Sequence, residues 1–293
     1  MPGAGTSPGG GDVRVDPLSG AATIIVPNRQ GRPNLEPGDC PFCPGGLEAP
    51  RAYRTRWFPN RWPSLGDGRC EVHLFSPDHE ASLASLGAAG VGEVLELWAD
   101  RTAAHAADPD VAYVLVFENR GAEVGATVLH PHGQLYAYGS VPPVPFRELS
   151  AAGPCPLCAG PPADLLVVAA GEWRAWVPDA AAFPYELLIA PAGHVGNLEE
   201  SRATFDDAAV VVSSALGALD RMFAAAAPYM LWVHQRPTDG RAWPAAHVHL
   251  HVTPVWRAPG IVRYVAAAEI GAGVFLNPVR PVDAAAALRA STR

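Results

Sequence analysis

The sequence predicts an α+β fold in which one module occurs twice, with mostly antiparallel sheets and flanking helices. Three observations carry this. Cys-Pro-Phe-Cys at 40–43 recurs as Cys-Pro-Leu-Cys at 155–158. Each pair is followed after the same interval by a histidine, His79 in one case and His194 in the other. Each half then reaches a histidine cluster, His-Pro-His-Gly-Gln at 130–134 and His-Val-His-Leu-His at 247–251, after intervals that differ by two residues. Ordered landmarks at near-equal spacing are the mark of internal duplication. The halves are placed at 13–148, expected to be the catalytic one, and at 149–293, after a disordered tail at 1–12.

Within each half the elements follow from periodicity. VAYVLVFEN (111–119) and YMLWVHQ (229–235) are apolar runs of strand length just before the histidine clusters, and HVHLHVTPVW (247–256) alternates at period two. VGEVLELWADRTAAHAA (91–107) and ATFDDAAVVVSSALGALDRMFAAAA (203–227) carry apolar residues at helical spacing. Strands plus one long helix in each half define the α+β class.

Composition narrows the function. The 293 residues are 49% hydrophobic, ample for a buried core. No apolar run reaches membrane-spanning length, and the N-terminal stretch lacks the basic and apolar regions of a signal peptide, so a cytoplasmic location is expected. The net charge of −8 argues against a broad nucleic-acid or anionic-membrane surface and leaves any anionic ligand to local arginines. With 29 Gly and 31 Pro, the fold should be rich in loops.

Four of the five cysteines form the two Cys-x-x-Cys pairs, and in a chain without an export signal such pairs suggest metal or redox chemistry. Thiolates joined by two later histidines are the ligands of closed tetrahedral zinc sites. The first set is Cys40, Cys43, His79 and His130. By the repeat, the second is Cys155, Cys158, His194 and His247. A thioredoxin-like redox pair is the competing reading, but CPFCPGG has neither a strand leading in nor a helical pattern behind it. Cys70 reads as a lone buried thiol.

The strand through the first cluster should present His130, His132 and Gln134 on one face. A neutral imidazole whose other nitrogen donates to a backbone carbonyl is a competent nucleophile near neutral pH, which makes His132 the attacking group. Gln134 can hydrogen-bond phosphoryl oxygens but delivers no proton. That suffices for a sugar phosphate leaving group, whose second pKa is about 6. The turn ENRGAEVGAT before HPHGQ offers backbone N–H groups to a phosphate, whereas QRPTDGRAWPAA before HVHLH contains two prolines, so the first half is expected to react.

The segments DPLSGAATIIVPNRQGRP, CPFCPGG, FPNRWP, FSPDHEASL, FENRGAEVGATVLHPHGQ, FPYELLIAPAGHV and HVHLHVTP, spread from about residue 16 to 280, resemble the galactose-1-phosphate uridylyltransferase family of the histidine-triad superfamily. The resemblance implies a duplicated histidine-triad-like fold and uridylyl transfer from UDP-glucose to galactose 1-phosphate through a covalent intermediate on His132. It implies that Arg29 and Arg32 reach the phosphates, that Asn60 and Arg61 line the nucleotide pocket, and that Asn119 and Gln134 hold the ribose or phosphate region. Arg263, Tyr264 and Glu269 fall where the family binds the sugar. The family can instead carry a different second metal site, one glutamate with three histidines, whose counterparts are Glu148, His234, His249 and His251; of the two readings of the second site the cysteine set is preferred, because thiolates have few other reasons to recur at repeat spacing. A homodimer also follows from the resemblance, through an arginine loop that reaches the neighbouring subunit.

The chain departs from the family at Ala268, where a tyrosine stands beside the sugar-binding glutamate, and at Phe275, where a glutamine contacts the sugar. Its tail, EIGAGVFLNPVRPVDAAAALR, and its second Cys-x-x-Cys are closer to the ADP-glucose phosphorylase branch. The expected partners are therefore a nucleotide-sugar with a sugar 1-phosphate or phosphate. Phosphorolysis of a nucleotide-sugar, hydrolysis on the HVHLH strand and a zinc-stapled binding module are the rival readings.

Overall fold

The computed structural model describes residues 11–30, 40–66, 68–151 and 153–292. In chain order the strands and helices are β1 (Asp12–Val15), β2 (Ala22–Ile25), β3 (Arg56–Pro59), β4 (Cys70–Leu74), α1 (Gly87–Ala106), β5 (Tyr113–Arg120), β6 (His132–Tyr138), α2 (Pro143–Leu149), β7 (Leu166–Ala170), β8 (Trp173–Trp176), β9 (Leu187–Pro191), α3 (Leu198–Ser201), α4 (Phe205–Phe223), β10 (Tyr229–His234), β11 (His249–Pro254), β12 (Trp256–Ala258), β13 (Ile261–Val262), α5 (Ala267–Ala272) and α6 (Pro281–Ala290). Nine strands form one antiparallel sheet in the order β3-β4-β6-β5-β10-β11-β9-β8-β7. The pairs β1/β2 and β12/β13 stand apart from it.

The duplication is visible in the pairing. Strands β4, β6 and β5 of the first half are matched by β9, β11 and β10 of the second, in mirrored order about the middle of the sheet. Phe117 on β5 lies opposite Gln134 on β6, and Trp232 on β10 lies opposite His251 on β11. Phe117 and Trp232 in turn face each other across β5/β10. A pseudo-twofold axis therefore passes through that pair, and the two histidine strands lie symmetrically on either side.

The long helices cover one face. Helix α1 buries Val91, Val94, Leu95 and Trp98, and α4 buries Val211, Val212, Ala215, Leu216 and Leu219. They pack against each other and share one apolar cluster with Val114 and Val116 of β5 and Leu135 and Ala137 of β6. Strand alternation then sends the other residues of β6, namely His132, Gln134, Tyr136 and Tyr138, to the opposite, partly open face. On that face a smaller cluster of Phe42, Ala49, Val72, Leu74 and Val128 packs against Cys40.

Polar groups fix the helix layer to the sheet. Glu71 of β4 accepts from Arg101 at 2.7 and 3.0 Å, and from His105 at 2.8 Å, both on α1, and from His73 at 3.1 Å. Burial pushes this carboxyl up, but the hydrogen bonds from His105, His73 and Arg101 outweigh it and hold it well below the usual carboxylate range. Arg120 of β5 makes a two-pronged contact with Asp220 of α4 at 2.8 and 2.9 Å.

The expected helices lie close to the observed ones. The helix expected over 203–227 stops at Phe223, because Ala224 takes a left-handed φ of 51° and Asp220 accepts the Ala227 N–H at 2.9 Å, turning the chain into β10. Leu135 is fully buried between the helix layer and its strand neighbours. Leu135→Ala should cost about 2–5 kcal/mol in urea unfolding, with the slope against denaturant unchanged.

Candidate active site

Strand β6 begins at His132, so His130 stands just before it rather than within it. Pairing with β4 nevertheless continues upstream, since the Phe75 N–H donates to the Pro131 carbonyl at 3.1 Å. The Nδ1 of His132 lies 2.8 Å from the carbonyl oxygen of His130. A carbonyl only accepts, so Nδ1 carries the proton and Nε2 carries the lone pair. Gly133 lets this strand through: a Cβ there would meet the Phe75 ring at 2.7 Å and the Phe117 carbonyl oxygen at 2.9 Å.

His132 borders two clefts. One, of about 240 Å³, is lined by Ser82, Asn119, Arg120, Gly121, Pro131 and His132 among others. The other, of about 190 Å³, runs between Phe42, Phe58, Trp62 and Val128, with Asn60, Arg61 and Gln134 at its edge. An apolar slot with a few polar groups suits a flat ring, and the adjoining polar cleft suits its anionic continuation. Asn60 Nδ2 donates to Gln134 Oε1 at 3.3 Å, which leaves the Gln134 amide nitrogen as the donor for a phosphoryl oxygen. Arg61 is paired with Glu48 at 2.6 Å.

The first predicted metal group is gathered. The ligand atoms of Cys40, Cys43, His79 and His130 lie within 4.8 Å of one another. Cys43 Sγ is 3.5 Å from His79 Nδ1 and 3.6 Å from His130 Nδ1. His130 turns its Nε2 to the Ser76 carbonyl at 2.8 Å and to the Tyr53 hydroxyl at 2.8 Å, an arrangement that orients the ring with Nδ1 toward the thiolates. Tyr53 was not foreseen from the sequence. It sits in an arginine-rich run with no periodicity to distinguish it.

The second half repeats the gathering and the backbone-carbonyl hydrogen bond, without a counterpart of Tyr53 among the described contacts. Cys155, Cys158, His194 and His247 are likewise gathered. Cys158 Sγ is 3.2 Å from His194 Nδ1, Cys155 Sγ is 3.4 Å from His247 Nδ1, and His247 Nε2 is 3.0 Å from the Pro191 carbonyl oxygen. His249, the counterpart of His132, has its Nδ1 2.7 Å from the His247 carbonyl oxygen. The two histidines are thus prepared alike.

Their surroundings differ. Glu148, from α2, places Oε2 2.7 Å from His234 Nδ1 and 3.5 Å from His249 Nε2, and Oε1 4.0 Å from His251 Nε2. These four residues form a third gathered group, which shares no residue with the other two. His251 Nε2 is buried without a hydrogen-bond partner, as an atom reserved for a metal would be. A carboxylate stands where a phosphorus atom would approach His249, and it repels an anion there.

The other expected residues divide. Asn119 lines the His132 cleft. Arg29 donates to Ser64 and, at 3.1 Å, to the Tyr136 hydroxyl, on the same face of β6 as His132. Arg32 lies outside the described residues. Arg263, Tyr264 and Glu269 come together, but around a separate cleft of about 620 Å³ that shares no lining residue with those at His132. There Glu269 accepts from Arg263 and from the Ala266 and Leu276 N–H groups at 2.7 and 2.8 Å, so it braces the loop, while Tyr264 is 82% exposed. The turn 121–126 spends donors on itself: the Val124, Gly125 and Ala126 N–H groups bond to carbonyls of Gly121 and Ala122. The asymmetry between the halves therefore rests on Glu148 more than on that turn.

Residues 58–142 match the family model for the N-terminal domain of galactose-1-phosphate uridyl transferase. The chain is 32% identical to a galactose-1-phosphate uridylyltransferase of Thermotoga maritima over 95% of its own length and 98% of the relative's. It is 40% identical to the Streptomyces lividans enzyme of the same name over 77% and 70%. A solved uridylyltransferase structure superposes with a TM-score of 0.86 at 28% identity, covering 96% of this chain and 98% of that one. The Arabidopsis thaliana ADP-glucose phosphorylase with bound ADP-glucose gives 0.77 at 25% identity, over 95% and 98%.

Since a Cβ at 133 has no room, Gly133→Ala must displace His132 or Phe75. The variant should remain folded but bind and turn over nucleotide-sugar at least about tenfold less well, because small misplacements of a nucleophile carry large rate penalties. Circular dichroism with steady-state kinetics checks this, and unchanged kcat/KM would contradict it.

Proposed function

The chain belongs to the galactose-1-phosphate uridylyltransferase family, and from that membership we propose that it moves a uridylyl group from a UDP-hexose to a hexose 1-phosphate by way of a covalent nucleotidyl-His132. The observation that carries this is the hydrogen bond from His132 Nδ1 to the His130 carbonyl, which leaves Nε2 as the nucleophile at the meeting of the two clefts. In the first step Nε2 attacks the α-phosphorus, an N–P bond forms, and the bond to the bridging oxygen breaks with its electron pair leaving on the sugar 1-phosphate. Such a leaving group, with a second pKa of about 6, departs without a protonating residue. In the second step a phosphate oxygen of the acceptor attacks the same phosphorus and the N–P bond breaks.

Gln134 donates to the phosphoryl oxygens, and the lack of an acid there favours transfer over hydrolysis. Asn60, Arg61 and the ring-lined slot hold the nucleoside, Asn119 and Arg29 serve the phosphates, and Arg32 joins them. Arg263, Tyr264 and Glu269 serve the sugar from a neighbouring subunit of a homodimer, which is consistent with their separation from the His132 clefts within one chain. No helix among the described residues is long and apolar enough to cross a membrane, and a cytoplasmic enzyme is part of this reading.

Each of the two Cys-Cys-His-His groups is assigned a zinc ion with a structural task, as the thiolate-imidazole donor set suits closed tetrahedral coordination. Glu148, His234, His249 and His251 would hold a further divalent cation, and this group is compatible with that of Cys155 and Cys158 because their residues are distinct. Metal analysis should find one ion fewer per chain in Cys43→Ser and in Cys158→Ser, with a lower Tm for the former; unchanged content in either would contradict that assignment.

A second reading, phosphorolysis of ADP-glucose, is favoured by the Arabidopsis thaliana relative, which matches 95% of the chain at 27% identity. Labelled glucose 1-phosphate should exchange into UDP-glucose on the wild-type protein and on His249→Ala, and fail to do so on His132→Asn. Exchange surviving in His132→Asn would overturn the proposal, and labelled phosphate entering in place of the sugar phosphate would favour the phosphorylase.

A further inference from the structure

Phe42, between the two cysteines of the first Cys-x-x-Cys turn, lines the apolar slot beside His132, and its ring also reaches that histidine. The centroids of the two rings are 5.2 Å apart with their planes at 62°. The same ring lies 6.1 Å from that of His130, at 82°, and 5.8 Å from that of Phe58. Tilted or edge-on rings at such separations are favourable aromatic contacts. Phe42 is 8% exposed and packs with Val72 and Leu74, which stand opposite Gln134 and His132 across β4/β6.

The backbone of Phe42 is held as well. The Tyr53 hydroxyl donates to its carbonyl oxygen at 2.7 Å, and the same hydroxyl oxygen lies 2.8 Å from His130 Nε2. The hydrogen bond at His132 Nδ1 fixes which nitrogen is bare, but how far the imidazole turns about that contact depends on what packs beside it, since the torsion that turns a histidine ring has broad wells. We infer that Phe42 is a positioning residue for His132, its ring limiting the turning of the imidazole and so keeping Nε2 on the line of attack. This rests on the reading of His132 as the nucleophile. The Cys40–Cys43 turn then acts on His132 by two routes, one through the His130 carbonyl and one through the Phe42 ring.

The second half shows the same position without an aromatic ring. Leu157 stands between Cys155 and Cys158 as Phe42 stands between Cys40 and Cys43, and it packs against Trp176, Leu188 and Ala190. There His249 Nε2 has a carboxylate oxygen of Glu148 3.5 Å away. The ring therefore accompanies the histidine to which the reaction is assigned, and a leucine accompanies its counterpart.

The experiment compares the metal-loaded wild-type protein with Phe42→Leu, which copies the second half, and with Phe42→Met, which fills the site with a flexible chain in place of a planar ring. Single-turnover release of glucose 1-phosphate from UDP-glucose, followed over a range of concentrations, separates binding from attack. In both variants the saturating rate should fall about tenfold, as a loosely aimed nucleophile carries a large rate penalty. A raised half-saturating concentration with an unchanged saturating rate would overturn the inference, because Phe42 would then only line the slot. Nitrogen NMR of histidine-labelled protein without substrate gives a readout independent of turnover, with His132→Asn identifying the His132 signals. The wild type should show one protonated and one bare ring nitrogen, and both variants should draw the two shifts together as the ring exchanges between orientations. Unchanged shifts would overturn the inference, and so would loss of metal from both variants, since the effect would then belong to the collapse of the turn. If the wild type itself releases no glucose 1-phosphate, the functional reading falls, while the nitrogen shifts still decide whether Phe42 holds the ring.

Discussion

One hydrogen bond, from His132 Nδ1 to the carbonyl of His130, sets the ring orientation on which the proposed chemistry depends. Its donor is the proposed nucleophile and its acceptor belongs to a residue of the first Cys-Cys-His-His group, so the strand that presents His132 is anchored two residues upstream. His130 is itself oriented by the Ser76 carbonyl and the Tyr53 hydroxyl, and its Nδ1 faces Cys43. The chain of contacts from thiolate to imidazole to carbonyl to imidazole leaves the reacting nitrogen little freedom. Preorganisation of this kind lowers the entropic cost of reaching the transition state.

The second half has the same anchoring and has not kept the same use. His247 and His249 repeat the contacts of His130 and His132, and β11 sits in the sheet as β6 does. What differs is α2, which brings Glu148 against His249, His234 and His251. On the proposed reading, a position suited to an anion thus becomes one suited to a cation. Strands β6 and β11 lie on either side of the Phe117–Trp232 pair, and the seam between them carries Glu118, Tyr229 and Arg120, with Asp220 of α4 against it.

Much of this was legible in the sequence because thiolates and histidines at repeat spacing have few other uses. The two Cys-Cys-His-His groups, the duplicated antiparallel fold and the long helices were expected and are observed. The sequence offers the third group as an alternative to the second, whereas in the structure both sets of side chains are gathered. The reason is local: the alternation along 247–251 sends His247 toward the cysteines while His249 and His251 face Glu148. What could not be read was long-range. Tyr53 reaches His130 across 77 residues, the turn at 121–126 closes upon itself, and the residues 263–269 gather at a cleft of their own. None of these has a periodic signature, since each depends on how loops pack after the sheet has formed.

The most direct test of this account is the position of the nucleotidyl group on the protein. After brief reaction with UDP-glucose, alkaline digestion and tandem mass spectrometry would locate the acid-labile adduct, and phosphorus-nitrogen coupling in histidine-labelled protein would identify the ring nitrogen. The account predicts a single adduct on the peptide containing His132, bonded through Nε2. An adduct on His249, or one bonded through Nδ1 of His132, would contradict it.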